Sequence, residues 1–306
     1  MFSVVASLTL KIFPLYITMF LGFISSRYLS VSRDVIAPLI VYILAPMVVF
    51  YATYQANMNK SVVLFPFMFF FFCASISFLS YFFAKRVWSD NIKNLVAFSA
   101  GTGNVGYFGI PLAFILLPPE VANIYIFTLL VAFFYEYTIG FYMISRGSFT
   151  LKQSFAKIFK LPVIYAFLVG LTLNLLEVKI SIEFLSFMEY FKGAYTILGM
   201  MMIGMGLSTL KVREIDIKFI FVTNFIKLIV LPLLTIAIIW LDKTLFHLFY
   251  ADIYYVLLVW AIVPMAANTV TLATLFKTKP EQAAIAVFLS TLSSFITIPI
   301  FAAFFI

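Results

Sequence analysis

The chain has 306 residues, of which 64% are hydrophobic and 10% charged, and its formal net charge is +8. A soluble fold of this length cannot hide so much apolar surface, so its solvent is lipid. The positive charge does not point to nucleic acid, because the basic residues sit between apolar runs instead of sharing one face.

A bilayer core of about 30 Å takes about 20 apolar residues per helix. Membrane barrels alternate polar and apolar residues in short strands, whereas runs such as SVVLFPFMFFFFCASISFLSYFF do not. The chain reads as an all-α polytopic membrane protein. Ten apolar segments follow in order, at 7–27, 34–54, 61–84, 91–117, 121–145, 162–178, 193–210, 218–240, 252–276 and 282–305. Lys11 is the only basic residue before the apolar stretch that reaches about Tyr28, and no small-residue cleavage site follows, so the first segment is expected to stay as a helix. Cys73, the single cysteine, rules out an intrachain disulfide and reads as a lipid-facing or packing residue.

With both termini outside, fourteen of the twenty Lys and Arg residues fall on the cytoplasmic side, and Lys11, Lys60, Lys179, Lys192 and Lys243 on the other. That bias sets the orientation. It makes the basic linker at 147–161 cytoplasmic and the protein multi-pass in the plasma (inner) membrane. The linker divides the chain into a first five-helix repeat, 1–146, and a second, 162–306. Five is odd, so the second repeat is inverted, the plan of many secondary transporters.

The fourth segment contains GTGNVGYFGIP. Its G-x-G-x-x-G start matches a dinucleotide turn, but a cofactor loop needs a preceding strand, a soluble helix and an acid on a neighbouring strand. Here the stretch runs straight into apolar sequence and Glu120 falls in an outer loop, so no cofactor is implied. Gly101, Gly103, Gly106 and Gly109 instead loosen the helix and admit a second backbone. Pro111 removes a donor and frees a carbonyl one turn earlier, and Asn104 offers both a donor and an acceptor there. In the matching slot of the second repeat, the ninth segment carries Pro264 followed by Asn268, Thr269 and Thr271. Two broken helices in corresponding positions are expected to cross at mid-membrane, with positive half-helix ends facing the site.

The stretches ILAPMVVF, GNVGYFGIPL, KLIVLPLL and WAIVPMAANTVTLATLFKTKPEQAAIAVFLSTLSSFITIP, in that order and spacing, resemble the auxin efflux carrier family of the bile-acid and arsenite transporter superfamily. The resemblance spans all ten segments. It implies a scaffold of helices 1, 2, 6 and 7 that also forms a homodimer, and a moving transport domain of helices 3–5 and 8–10. It also implies crossed, broken fourth and ninth helices. Family substrates are organic anions, including auxin, malonate and malate. The family asparagine falls on Asn104 and the crossover prolines on Pro111 and Pro264; Asn268 carries over less directly. The short linker matches compact prokaryotic members, not the long-looped plant ones.

Two ionisable residues, Glu136 and Lys227, stand well inside apolar segments. Glu136 sits about 22 Å along the fifth helix at about 1.5 Å per residue, and an acid at that depth is a functional candidate by default. It reads either as a proton-coupling group or as a structural partner of Lys227 in the eighth segment, which otherwise snorkels to the cytoplasm. The two breaks contain no acid, so Asn104, Tyr107 and the threonines after Asn268 read as a neutral polar site suited to a carboxylate. His247 reads as a surface residue, Trp240 as interfacial, Trp260 as intrahelical, and the methionines and glycines of 200–206 as packing.

The leading expectation is a secondary transporter of small organic anions, working by an elevator-like alternating access, with efflux or exchange as its direction. A sodium-coupled importer, a channel and a transporter-like sensor share these sequence features. An enzyme needs an acid pair, a Ser/His arrangement or a metal cluster, none of which is visible in the sequence.

Overall fold

The computed structural model describes residues 2–145, 160–208 and 216–306, and every element in them is helical. Most of the 147–161 linker, and Lys211 and Arg213, lie outside the described residues. In chain order the helices are α1 Phe2–Tyr28, α2 Arg33–Gln55, α3 Lys60–Ala84, α4 Ile92–Gly101 and α5 at 105–116. There follow α6 Pro119–Ile144, α7 Pro162–Leu175, α8 Ile182–Ser208 and α9 Ile217–Phe246. The last are α10 Ala251–Ile262, α11 Asn268–Leu275 and α12 Pro280–Phe305.

Six of them, α1, α2, α3, α6, α9 and α12, are long and apolar enough to cross a membrane. The expected fourth and ninth segments are each two helices, α4 with α5 and α10 with α11. One boundary moves substantially. The helix expected at 193–210 begins at Ile182, because Glu183, Glu189 and Lys192 dilute the apolar signal over its first turns.

Side-chain caps set several starts. Asn59 accepts from the backbone of Ser61 and Val62 at the head of α3, and Asp216 accepts from Phe219 N at the head of α9. Prolines shape the interiors. Wide π turns cover Ile40–Leu44, Val105–Gly109 and Ile226–Val230, and each stops two residues before a proline: Pro46, Pro111 and Pro232. The residue just before each proline, Ala45, Ile110 or Leu231, donates five residues back, to Ile40, Val105 or Ile226. A proline ring clashes with the carbonyl four residues earlier, and a widened turn relieves the clash without breaking the helix.

Packing pairs the helices reciprocally. α1 packs along α8 and α2 along α7, while α2 also meets α8. The α1–α8 approach is backbone to backbone: a methyl on Gly22 would strike the Met201 carbonyl, and one on Gly204 the Met19 carbonyl. Between α2 and α7, Asn174 Nδ2 donates to the carbonyls of Tyr54 at 2.6 Å and Ala56 at 2.8 Å, closing the C-terminus of α2. Among the remaining helices, α3 packs on α4 and α6, and α10 on α6 and α9, while α12 packs on α9 and α11 and also on α1. The outer face of α1 stays uncovered, Leu10 being 72% exposed, as suits a lipid-facing helix.

Cys73 is buried within α3 and packs, while His247 is exposed in a left-handed turn after α9. Trp240 is 64% exposed and Trp260 buried. Gly204 makes the close contact with α1, and Met200, Met202 and Met205 are buried beside it, so this methionine stretch serves packing.

Two glycines of α8 should respond oppositely to the same change. Gly204→Ala should cost about 1–3 kcal/mol through overpacking. Gly193→Ala, whose added methyl meets nothing within 4 Å, should be neutral or gain up to about 1 kcal/mol from helix propensity. Thermal melts of the purified variants decide this; equal melting temperatures would show that the α1–α8 contact is not tight.

Candidate functional site: the meeting of two helix breaks

α4 ends at Gly101, and Thr102 is extended, with φ −124° and ψ 156°, before α5 starts at Val105. α10 ends at Ile262, and the chain runs through Val263–Ala267 before α11 starts at Asn268. Broken backbone deep in a membrane protein must find its hydrogen bonds elsewhere. Here the two breaks supply each other, as Asn104 N donates to the Pro264 carbonyl at 2.9 Å. Met265 N donates to Ser290 Oγ of α12 at 3.1 Å, and Gly109 N to the Asn104 carbonyl at 2.8 Å.

One acid ties both breaks together. Glu136 is 7% exposed and lies on the π turn Glu136–Gly140 of α6. Its carboxylate accepts from Thr102 Oγ1 at 2.7 Å and from Asn268 Nδ2 at 2.7 Å, one donor from each break. The sequence places no acid within either break, and the expected neutral site is corrected here: Glu136 brings a carboxylate to the crossing from a third helix. The proposed partnership with Lys227 is also corrected. Glu136 is satisfied by Thr102 and Asn268, and Lys227 forms no ion pair with it. Nor does Lys227 snorkel. It is 1% exposed, lies over the Trp260 ring at 5.1 Å and reaches towards Gly103.

Beside the meeting point is a cavity of about 150 Å³. Its polar wall is Asn104, Tyr107, Glu136, Tyr137 and Asn268, with backbone from Gly103, Gly106, Ala266 and Ala267. Ile40, Val41 and Ala45 of α2, Val163 of α7 and Tyr195 of α8 close the far side. The N-termini of α5 and α11 both begin here and turn their positive ends to it. Three buried polar groups around the crossing lack a partner: Asn104 Nδ2, Thr269 Oγ1 and Lys227 Nζ. Among the described residues, no three His, Cys, Asp or Glu side chains gather to hold a metal ion.

Of the residues singled out in the sequence, Asn104, Tyr107, Asn268, Glu136, Gly103 and Gly106 meet at this cavity. Pro264 stands behind it as an acceptor, and Thr269 is buried nearby without lining it. Pro111 does not make the break. It lies beyond it inside α5, buried, and its effect is the π turn ahead of it. Gly101 and Gly109 are packing glycines, one against Tyr135 and the Cys73 carbonyl, the other against Tyr125. Sequence reasoning missed Thr102, although it sits inside GTGNVGYFGIP, because a threonine next to glycines carries no signal until its partner acid is known. It also missed the α2 wall, although Ala45 lies inside the ILAPMVVF motif and Ile40 and Val41 just before it.

Several membrane-length apolar helices and two interrupted ones, gathered around a cavity between them, define a multi-pass helical membrane protein. A family model described as membrane transport protein matches residues 7–302. The chain belongs to that family, the auxin efflux carriers that its motifs resemble, and has the general role of a membrane transporter. No curated protein matches the chain.

The two asparagines at the cavity should differ in what they do for stability. Asn268→Ala removes one of the two donors to a buried carboxylate and should cost about 1.5–3 kcal/mol. Asn104→Ala removes a donor that has no partner and should leave stability unchanged or raise it by up to about 1–3 kcal/mol. Thermal unfolding of ligand-free protein measures both, and equal losses would mean that Glu136 is not held through Asn268.

Proposed function

We propose that this protein is a secondary transporter of small organic anions, carboxylates above all, working by alternating access about the meeting of its two helix breaks. The observation that carries the reading is the excess of donors at that point. Asn104 Nδ2 is buried, lines the cavity and has no partner. A buried unsatisfied donor costs about 1–3 kcal/mol, and an acceptor-rich ligand removes that cost. The positive ends of α5 and α11 favour the same ligand. The cavity has room for a small acid.

The packing supports a two-body mechanism. α1, α2, α7 and α8 form the scaffold, and the other helices the transport domain that carries the breaks. The cavity lies between the two groups, with α2, α7 and α8 facing α5, α6 and α11. The reciprocal pairing of α1 with α8 and α2 with α7 is what two inverted repeats, 1–146 and 162–306, produce. The scaffold's uncovered apolar faces suit a homodimer. In this reading both termini lie outside and the 147–161 linker in the cytoplasm, which the charge bias supports, and the membrane is the plasma (inner) membrane.

Cation coupling is favoured by a separate observation, the carboxylate of Glu136 at the same crossing. A proton or sodium ion bound there lowers the repulsion of an incoming anion and links the two movements.

In proteoliposomes, Asn104→Ala should weaken binding of the best carboxylate ligand by about 10- to 150-fold, the worth of one hydrogen bond to a charged group. Wild-type affinity in that variant would remove Asn104 from the site. Glu136→Gln should abolish uptake driven by a pH gradient while leaving substrate exchange in place. An unchanged pH dependence would assign coupling elsewhere.

A further inference from the structure

Lys227 is left unexplained by this reading. Its Nζ is buried and has no hydrogen-bond partner, although a lysine head normally finds water or an acid. The widened Ile226–Val230 turn of α9 carries it, and its ammonium comes within 2.7 Å of where a Cβ on Gly103 would stand. Any side chain at position 103 would therefore crowd it. Gly103 itself lines the cavity. Thr102 turns its hydroxyl to Glu136, while the next residue, Gly103, turns its missing side chain to Lys227. The segment between α4 and α5 thus has a carboxylate on one face and an ammonium on the other. Gly103, which lines the cavity, stands between it and the ammonium.

The Trp260 ring under Nζ offsets part of the cost of burying a charge, but an ammonium without an anion is strongly disfavoured in such a place. A negative charge in the cavity supplies what is missing. We propose that Lys227 sets the charge selectivity of the cavity from behind Gly103, favouring carboxylates over neutral ligands without touching them. Its charge also offsets that of Glu136, which would otherwise repel an anion. The proposal rests on the anion-transport reading and deepens it. At such a range, and at an effective dielectric of about 20, one unit charge changes anion affinity about ten- to a hundredfold.

The test is calorimetric titration of purified protein with malonate, malate and indole-3-acetate, each beside its uncharged amide. It uses wild type, Lys227→Met, Asn104→Ala and the double variant Lys227→Met/Glu136→Gln. Methionine keeps the length and apolar stem of the lysine, so Lys227→Met should melt no lower than wild type. It should bind the carboxylates at least tenfold more weakly and the amides unchanged. The double variant, with both charges gone, should regain carboxylate affinity to within about threefold of wild type. An unchanged carboxylate-to-amide ratio in Lys227→Met would overturn the proposal. If Asn104→Ala loses affinity in that same experiment, the anion site stands without the lysine. A wild type that binds none of the three acids would overturn both.

Discussion

In lipid every backbone N–H and C=O needs a protein partner, and the rest of this structure follows from how that demand is met where two helices stop. Asn104 N and the Pro264 carbonyl satisfy each other across the gap. The exchange joins two segments far apart in sequence and leaves their side chains facing a shared space. Glu136 then fastens the junction from a third helix through Thr102 and Asn268. Polar residues are scarce in a chain of this composition, and Thr102, Asn104, Glu136 and Lys227 are buried where the backbone leaves the regular helix.

This arrangement also stiffens the site. α4, α6 and α11 share one carboxylate, so none can slide against the others without breaking a charged hydrogen bond at low dielectric. By contrast, the cavity's opposite wall comes from α2, α7 and α8 through mostly apolar contacts. Apolar surfaces can shift by small steps without leaving a polar group stranded. Directional bonds on one side and mostly apolar contacts on the other are what the proposed movement between the two groups of helices requires.

Much of this was legible in the sequence, and for identifiable reasons. Long apolar runs announce membrane helices whatever their packing, and Gly101–Gly109 and Pro264 mark interrupted ones. Asn104 and Asn268 stand out as amides in apolar surroundings. What could not be read was which groups meet. Glu136 and Lys227 lie at compatible depths, which made them look like partners. Helix rotation, invisible in a list of residues, turns one to Thr102 and the other to Gly103. Pro111 misled for a related reason. A proline signals a disturbed helix, but a wide turn absorbs it as readily as a break does. The early start of α8 was hidden because its first turns carry charge.

The wide turns before Pro46, Pro111 and Pro232 amount to a single added residue within an otherwise ordinary helix. One residue is about 100° of rotation, so each helix presents one face before the turn and a different one after it. Ile40 and Val41 reach the cavity from such a turn, as do Gly106 and Tyr107, and Lys227 approaches it from another. Deleting that residue would leave the composition and length of the span nearly unchanged while swinging half the helix away from its neighbours. Chain length at these three points is therefore more tightly constrained than the identity of most of the side chains around them.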